Sequence, residues 1–191
     1  GVLNIAAGES TILYILPDPI RSFVAQYPGI ELKMHNVTGR DGLAMLRADQ
    51  VDLAVGSMLD VPDDITYRPF VTYQPTLITP KDHPLAGKAS VTLEEIAPYG
   101  LILPRHLSTW RLVDLVFKQH NLAYRVTLEA GGWEVIKKYV ELGLGISIVT
   151  DVCLTGDENL SRIPLSQYFP KRSYGIVQRR GKFLSPQTKC F

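Results

Sequence analysis

The residues of this sequence best suited to chemistry are hydroxyl side chains at the starts of helices. Ser10 and Thr11 follow an alternating segment, Val2 to Ala7, in which Leu3, Ile5 and Ala7 share one face. Ser57 follows the apolar run Val51 to Gly56, and Ser108 and Thr109 follow Leu101 to Leu103. Gly131-Gly132-Trp133 follow a strand that ends at Leu128. In open α/β sheets, ligands bind beyond the carboxyl ends of the strands. A helix that begins there offers N–H groups without partners and the positive end of its dipole, which suits carboxylate, sulfate or phosphate. This is chemistry for holding a small anion, not for breaking bonds. Each hydroxyl also suits an N-cap, worth about 1 kcal/mol in that role alone. The binding reading therefore rests on several of them recurring at equivalent positions. Trp133 fits either a core aromatic or a pocket wall.

Catalytic and metal-binding patterns are missing. His35, His83, His106 and His120 form no HExxH pair, and His106 is the one near the proposed anion site. There is no G-x-S-x-G nucleophile elbow. Gly87-Lys88-Ala89 lacks the other parts of a phosphate-binding loop. Gly143-Leu144-Gly145 is followed by Ile148 where a dinucleotide fingerprint needs its third glycine, and it leads from helix to strand instead of strand to helix. A steric role fits better: Gly143 ends a helix in the left-handed conformation and Gly145 lets a strand start tightly. Cys153 and Cys190 form no CxxC, and Cys153, after an apolar strand, reads as a buried reduced thiol. Glu9 is the carboxylate beside the site. No catalytic residue, metal or cofactor is expected.

The elements that must position these residues follow from composition and periodicity. The chain has 191 residues, 46% of them hydrophobic and 20% charged, which suits one large domain or two small lobes. Its net charge of +1 lacks the basic excess of a nucleic-acid surface. No apolar run approaches the ~20 residues of a membrane span. No signal peptide opens the chain, so a cytoplasmic location is expected. Gly1 and the helix-like Leu184 to Lys189 read as cut ends. The first third alternates strand and helix: Val2–Ala7, a helix over Tyr14–Tyr27, Ile30–Asn36, a helix over Gly39–Asp49, then Val51–Gly56. Pro17 and Pro19 leave two starts open for the first helix, one at Pro17 and an earlier one with a kinked turn. Ile65–Phe70 and Thr76–Thr79 are further strands. Thr92 and Glu95 form a capping box. A second strand–helix set runs through Leu101–Leu103, Ser108–Gln119, Tyr124–Leu128, Trp133–Glu141 and Gly145–Thr150. Leu160–Ile163 and Ser173–Val177 close the chain. Strand–helix–strand units imply parallel pairing. The sequence thus predicts two α/β lobes, residues 1–79 plus 152–191 and residues 80–151, with crossings near Thr79–Asp82 and Thr150–Val152.

An ordered series of short motifs carries a resemblance: Gly8-x-Ser10 into Ile15-Leu16-Pro17, Phe23-x-x-x-Tyr27-Pro28-Gly29-Ile30, Val51-Asp52-Leu53-Ala54-Val55, Asp82-His83-Pro84-Leu85, Val140 to Ile146, and Arg179 to Pro186. Over nearly its whole length the chain resembles the effector-binding domain of LysR-type transcriptional regulators. Glu134 to Val140 and the hydroxyl-rich first loop are most similar to the subgroup that controls sulfur assimilation, CysB and its relatives. The resemblance implies two Rossmann-like lobes joined by a two-strand hinge, in the type 2 periplasmic-binding-protein architecture. It implies a small anionic effector (sulfate, thiosulfate or an acetylserine-type metabolite) held in the interlobe cleft by Ser10, Thr11, Ser57 and Ser108, with Tyr73 and Trp133 as walls. The subgroup commonly has Thr where this chain has Gly8, Ser10 and Ser57, Gln where it has Thr11, and an indole where it has Tyr73. A winged helix-turn-helix preceding Gly1 would bind DNA. The domain itself would pair into a homodimer or tetramer through the first-lobe helix and the second lobe, with RNA polymerase as a further partner. The rival readings are a free-standing solute-binding protein of the same two-lobe fold, which predicts an export leader and a monomer, and an enzyme on the same scaffold, which lacks an acid, base or nucleophile set.

Overall fold

The computed structural model describes residues 1–104 and 108–191, with Ser108 described by its backbone. In chain order the elements are β1 (Val2–Ala7), α1 (Glu9–Tyr14), α2 (Pro17–Gln26), β2 (Glu31–Asn36), α3 (Gly39–Arg47), β3 (Leu53–Gly56), β4 (Ile65–Tyr73) and β5 (Pro75–Pro80). They continue as α4 (Leu93–Ile96), β6 (Leu101–Pro104), α5 (Ser108–Gln119), β7 (Val126–Ala130), α6 (Trp133–Glu141), β8 (Ser147–Thr150), β9 (Leu160–Pro164), β10 (Arg172–Arg179) and α7 (Pro186–Cys190). A short 3-10 turn, Asp151–Cys153, follows β8. No helix among the described residues is long and apolar enough to cross a membrane.

The chain divides into two compact units, Gly1–Thr72 with Ser173–Phe191, and Tyr73–Arg172. It passes between them twice, at the end of β4 and the start of β10, which belong to one sheet. The division falls elsewhere than the sequence suggests. Residues 73–79 and 152–172 go with the second unit because β5 pairs with both β8 and β9. Hydrogen bonding along both edges of β5 outweighs the turn signal at Pro80–Pro84 that marked a crossing in the sequence.

In the first unit a five-stranded sheet runs β2-β1-β3-β10-β4. β1 is parallel to β2 and β3, as strand–helix–strand units require, whereas β10 joins β3 antiparallel and makes the sheet mixed. The alternation of β1 sends Leu3, Ile5 and Ala7 toward Leu16 and Phe23. Ala6 points the other way and packs with Leu46 of α3. The expected helix over Tyr14–Tyr27 is two helices. The N–H groups of Ile15 and Leu16 both bond to the Thr11 carbonyl, at 3.0 and 2.9 Å, and the second, spanning five residues, widens the last turn where α1 ends. Pro17 then opens α2, where its missing N–H costs nothing.

In the second unit, β8-β5-β9 form an antiparallel sheet and β6 pairs with β7 in parallel. Main-chain bonds from Ile102 N–H to Ile146 (2.8 Å) and from Ile146 N–H to Gly100 (3.1 Å) connect β6 to the segment entering β8. The core gathers Leu93 and Ile96 of α4, Leu101 and Leu103 of β6, and Val113, Val116 and Phe117 of α5. The Thr92–Glu95 capping box forms as the sequence predicts. So does the steric role of the glycine pair. Gly143 has φ +80°, and a Cβ on Gly145 would meet Ile102 Cγ1 at 2.9 Å and the Gly100 carbonyl at 3.0 Å.

Candidate functional site

In the first unit, β1 and β3 run parallel with Ala7 opposite Val55, so their carboxyl ends lie side by side. Gly8 and Ser57 continue from those two ends. Gly8, with extended backbone, is the N-cap of α1 and makes no side-chain cap. Ser10 and Thr11 therefore stand inside the first turn and are not its cap. Thr11 is 3% exposed, and no hydrogen bond to its hydroxyl occurs among the described residues. Capping, the plainer explanation of these two side chains, does not account for them. Ser57 is half-buried, and Glu9 is exposed.

The second unit repeats this arrangement. β6 and β7 run parallel with Pro104 opposite Ala130, so α5 and α6 both begin beyond the same sheet edge. Ser108 opens α5; its side chain and His106 lie outside the described residues. Thr109 is 6% exposed, and its Oγ1 accepts a 2.6 Å hydrogen bond from Nη1 of Arg172. Gly132, fully extended at φ −167°, caps α6 without a side chain, and Trp133 begins the helix 6% exposed. Burial alone leaves open whether Trp133 is core or wall, but no hydrogen bond to its indole N–H occurs among the described residues. Tyr73 is half-buried at the first chain passage. Its neighbour Gln74 is fixed to Asp151 by two bonds, Gln74 N–H to Oδ1 (2.8 Å) and Asp151 N–H to the Gln74 carbonyl (2.9 Å).

Two features of the second unit escape sequence reading. One is a hollow of about 10 Å³ lined by Thr109, Thr150 and Arg172 together with apolar side chains including Val113, Ile148 and Phe169. Lys171-Arg172 precedes β10 in the sequence, but nothing in its spacing places a cation beside Thr109, 63 residues earlier. The other is the anchor of α6. Lys137 is 5% exposed, and its ammonium bonds to Glu134 (2.8 Å), Glu158 (3.0 Å) and the Cys153 carbonyl (2.6 Å). Burial alone pulls the amine down, but the hydrogen bonds to Glu134 and Glu158 outweigh it and hold its pKa above the ordinary value. Burial likewise penalises the Glu158 carboxylate. Backbone donation from Thr155 and the Lys137 ammonium win, and its pKa falls to about 2. Burial pushes the Cys153 thiol up to about 12, consistent with an inert thiol. No group of three or more potential metal ligands occurs among the described residues.

Two α/β units whose helices begin beyond the ends of paired parallel strands are the architecture of a known family of regulatory domains. The family description LysR substrate binding domain matches residues 1–191, and the chain belongs to that family. It is 32% identical over 188 residues to the HTH-type transcriptional regulator SsuR of Burkholderia cenocepacia, covering 96% of this chain and 61% of SsuR. It is 30% identical over 188 residues to CysB of the same organism, covering 96% of this chain and 60% of CysB. The chain thus spans about three fifths of the length of these relatives, both HTH-type transcriptional regulators. Among solved structures, the regulatory domain of Synechocystis PCC6803 CcmR in complex with 2-PG superposes with a TM-score of 0.88 at 28% identity, covering 99% of this chain and 92% of that one. The fold is the type 2 periplasmic-binding-like fold of LysR effector-binding domains.

Proposed function

We propose that this chain is the ligand-sensing domain of a LysR-type transcriptional regulator and that it binds a small anionic metabolite between its two lobes. The observation that carries this reading is the repetition of one arrangement in both units: parallel strands ending together, with Ser10, Thr11 and Ser57 beyond one edge and Ser108, Thr109 and Trp133 beyond the other. Tyr73 would close the site where the chain passes between units. Free N–H groups and buried hydroxyls supply donors, which suit an oxyanion. Similarity to SsuR and CysB supports a sulfur-linked effector such as sulfate, thiosulfate or O-acetylserine. The CcmR complex adds 2-PG as a second chemistry worth testing.

Ligand binding would act through a difference in affinity for two arrangements of the lobes or of a homodimer or tetramer. A DNA-binding domain outside this chain, and RNA polymerase, would read that change out in the cytoplasm. A free-standing solute-binding protein is not favoured, because the relatives matched are regulators. A thermal-shift screen with sulfate, thiosulfate, O-acetylserine and 2-PG tests the proposal. A ligand that binds only the folded state adds RT ln(1 + [L]/Kd), about 2.7 kcal/mol at a hundredfold excess over Kd. The expected result is a rise with one of these anions that Ser10→Ala or Ser108→Ala abolishes. A rise that survives both substitutions would place the ligand elsewhere.

A further inference from the structure

Resting on the reading of this domain as an anion sensor, we infer that Asp151 is a positioning residue of its site. The short turn that Asp151 opens is bonded on one side to Gln74, next to Tyr73, and on the other to Lys137, one helical turn along α6 from Trp133. A single turn therefore holds both aromatic walls, and Asp151 acts through them and not on the ligand.

All of these residues belong to the second unit. β5 pairs antiparallel with β8, with Pro75 opposite Thr150. Proline has no N–H to add to that ladder. Asp151, the next residue, extends the pairing in a different way. Its N–H donates to the Gln74 carbonyl (2.9 Å), and its Oδ1 accepts from the Gln74 N–H (2.8 Å). The hydroxyl of Thr76, a buried residue, donates to the same Gln74 carbonyl (3.2 Å). Three bonds thus fix the residue beside Tyr73, and one of them ends on a carboxylate, the stronger kind of acceptor. The far end of the turn is fixed as well. Leu154 N–H bonds back to the Asp151 carbonyl (3.0 Å), which closes the 3-10 turn. Val152 and Cys153 within it are buried, so the turn cannot shift without opening the core. The Cys153 carbonyl then accepts the 2.6 Å bond from the Lys137 ammonium. Lys137 follows Trp133 by four residues on α6, which puts both on one face of the helix, and both are buried. Glu134 and Glu158 complete the bonding of this ammonium. Helix packing alone needs no buried charge, and apolar residues of similar volume often serve as well or better. A fully bonded polar network instead specifies one arrangement. Binding groups need such support, since their geometry must hold to within about 0.5 Å.

The test is isothermal titration of wild type, Asp151→Ala, Asp151→Asn, Tyr73→Ala and the Tyr73→Ala/Asp151→Ala double variant with sulfate and 2-PG. Asp151→Ala is expected to weaken whichever anion binds by about fivefold. Asp151→Asn keeps an Oδ1 acceptor for the Gln74 N–H and is expected to bind as wild type does. The loss in the double variant should fall short of the product of the two single losses, because Asp151 acts in part through Tyr73. Thr76→Val removes one of the bonds to Gln74 and keeps the side-chain shape. It should give a smaller loss, and it replaces Asp151→Ala if that variant does not fold. A second readout needs no ligand. With Trp110→Phe as background, Trp133 is the one indole left, and Asp151→Ala should increase its quenching by acrylamide while Asp151→Asn does not. A merely structural role for Asp151 would give losses that multiply with those of Tyr73→Ala, and would overturn the inference. So would unchanged affinity or unchanged quenching in Asp151→Ala, or an Asn variant as weak as the Ala variant, which would assign the effect to charge. If Ser10→Ala or Ser108→Ala still abolishes binding in any of these cases, the sensor reading stands while the role of Asp151 falls. A wild-type chain that binds no small molecule in a broad screen would remove both.

Discussion

Replacing Glu158 by Gln should make the stability of this domain depend less on pH, by an amount the structure sets. The Glu158 carboxylate is 12% exposed and accepts bonds from Thr155 N–H (2.9 Å), Gly156 N–H (3.0 Å) and the buried Lys137 ammonium (3.0 Å). Its pKa falls from 4.5 to about 2. At about 1.36 kcal/mol per pKa unit, that difference has a ceiling of about 3 kcal/mol. The loop residues Thr155, Gly156 and Asp157 are exposed, so solvent screening reduces it to about 2 kcal/mol. The folded-state pKa lies below the unfolded one. The contribution is therefore complete above about pH 4.5, shrinks as pH falls, and is gone below about 2. Urea unfolding can be followed by the fluorescence of Trp110 and Trp133, both in the second unit. It should show Glu158→Gln about 2 kcal/mol less stable than wild type at neutral pH, with the gap closing as pH falls toward 2. A gap that stays constant across this range, or is absent at neutral pH, would refute the assignment of the shift to Lys137 and the loop amides.

Gly175→Ala should destabilise the first unit strongly, by about 2 kcal/mol or more, because its Cβ would lie 2.3 Å from the Arg68 carbonyl oxygen and 2.6 Å from Pro69 Cα. Gly56→Ala, which meets nothing within 4 Å, is the control in the same melting experiment. Phe117→Ala in the second core should cost about 3–5 kcal/mol in urea unfolding, since the ring is fully buried. Thr92→Ala removes the side-chain half of the capping box, the bond from Glu95 N–H to Thr92 Oγ1, and keeps the backbone half; it should cost about 1 kcal/mol in the same assay. A thiol reagent at neutral pH should label the exposed Cys190 and leave the native Cys153 unmodified, as read by mass spectrometry, because burial pushes the Cys153 thiol up to about 12. Fast labelling of both would contradict the burial of Cys153.

Local chemistry made much of this legible beforehand. The period-2 run Leu3-Ile5-Ala7, the Thr92–Glu95 box, the Gly143 stop and the start of α6 at Trp133 each depend on residues within one or two turns. The series of family motifs depends on order along the chain, which sequence displays directly. So the sequence alone determined the α/β class, the family and the sheet edges where hydroxyls gather.

Tertiary structure decided what depends on distant partners. Ser10 and Thr11 read as caps or ligands until Gly8 proved to be the N-cap of α1. The unit boundary moved from Thr79 to Thr72 because β5 bonds to β8 and β9, which lie about 70 to 90 residues further along. Arg172 meets Thr109 across 63 residues, and Lys137 meets Glu158 across 21. A charged side chain acquires its partner, its burial and its shifted pKa only when the chain has closed on itself. Sequence spacing carries no trace of that closure, because hydrogen bonds and desolvation act over a few ångströms of space and not over residues of chain.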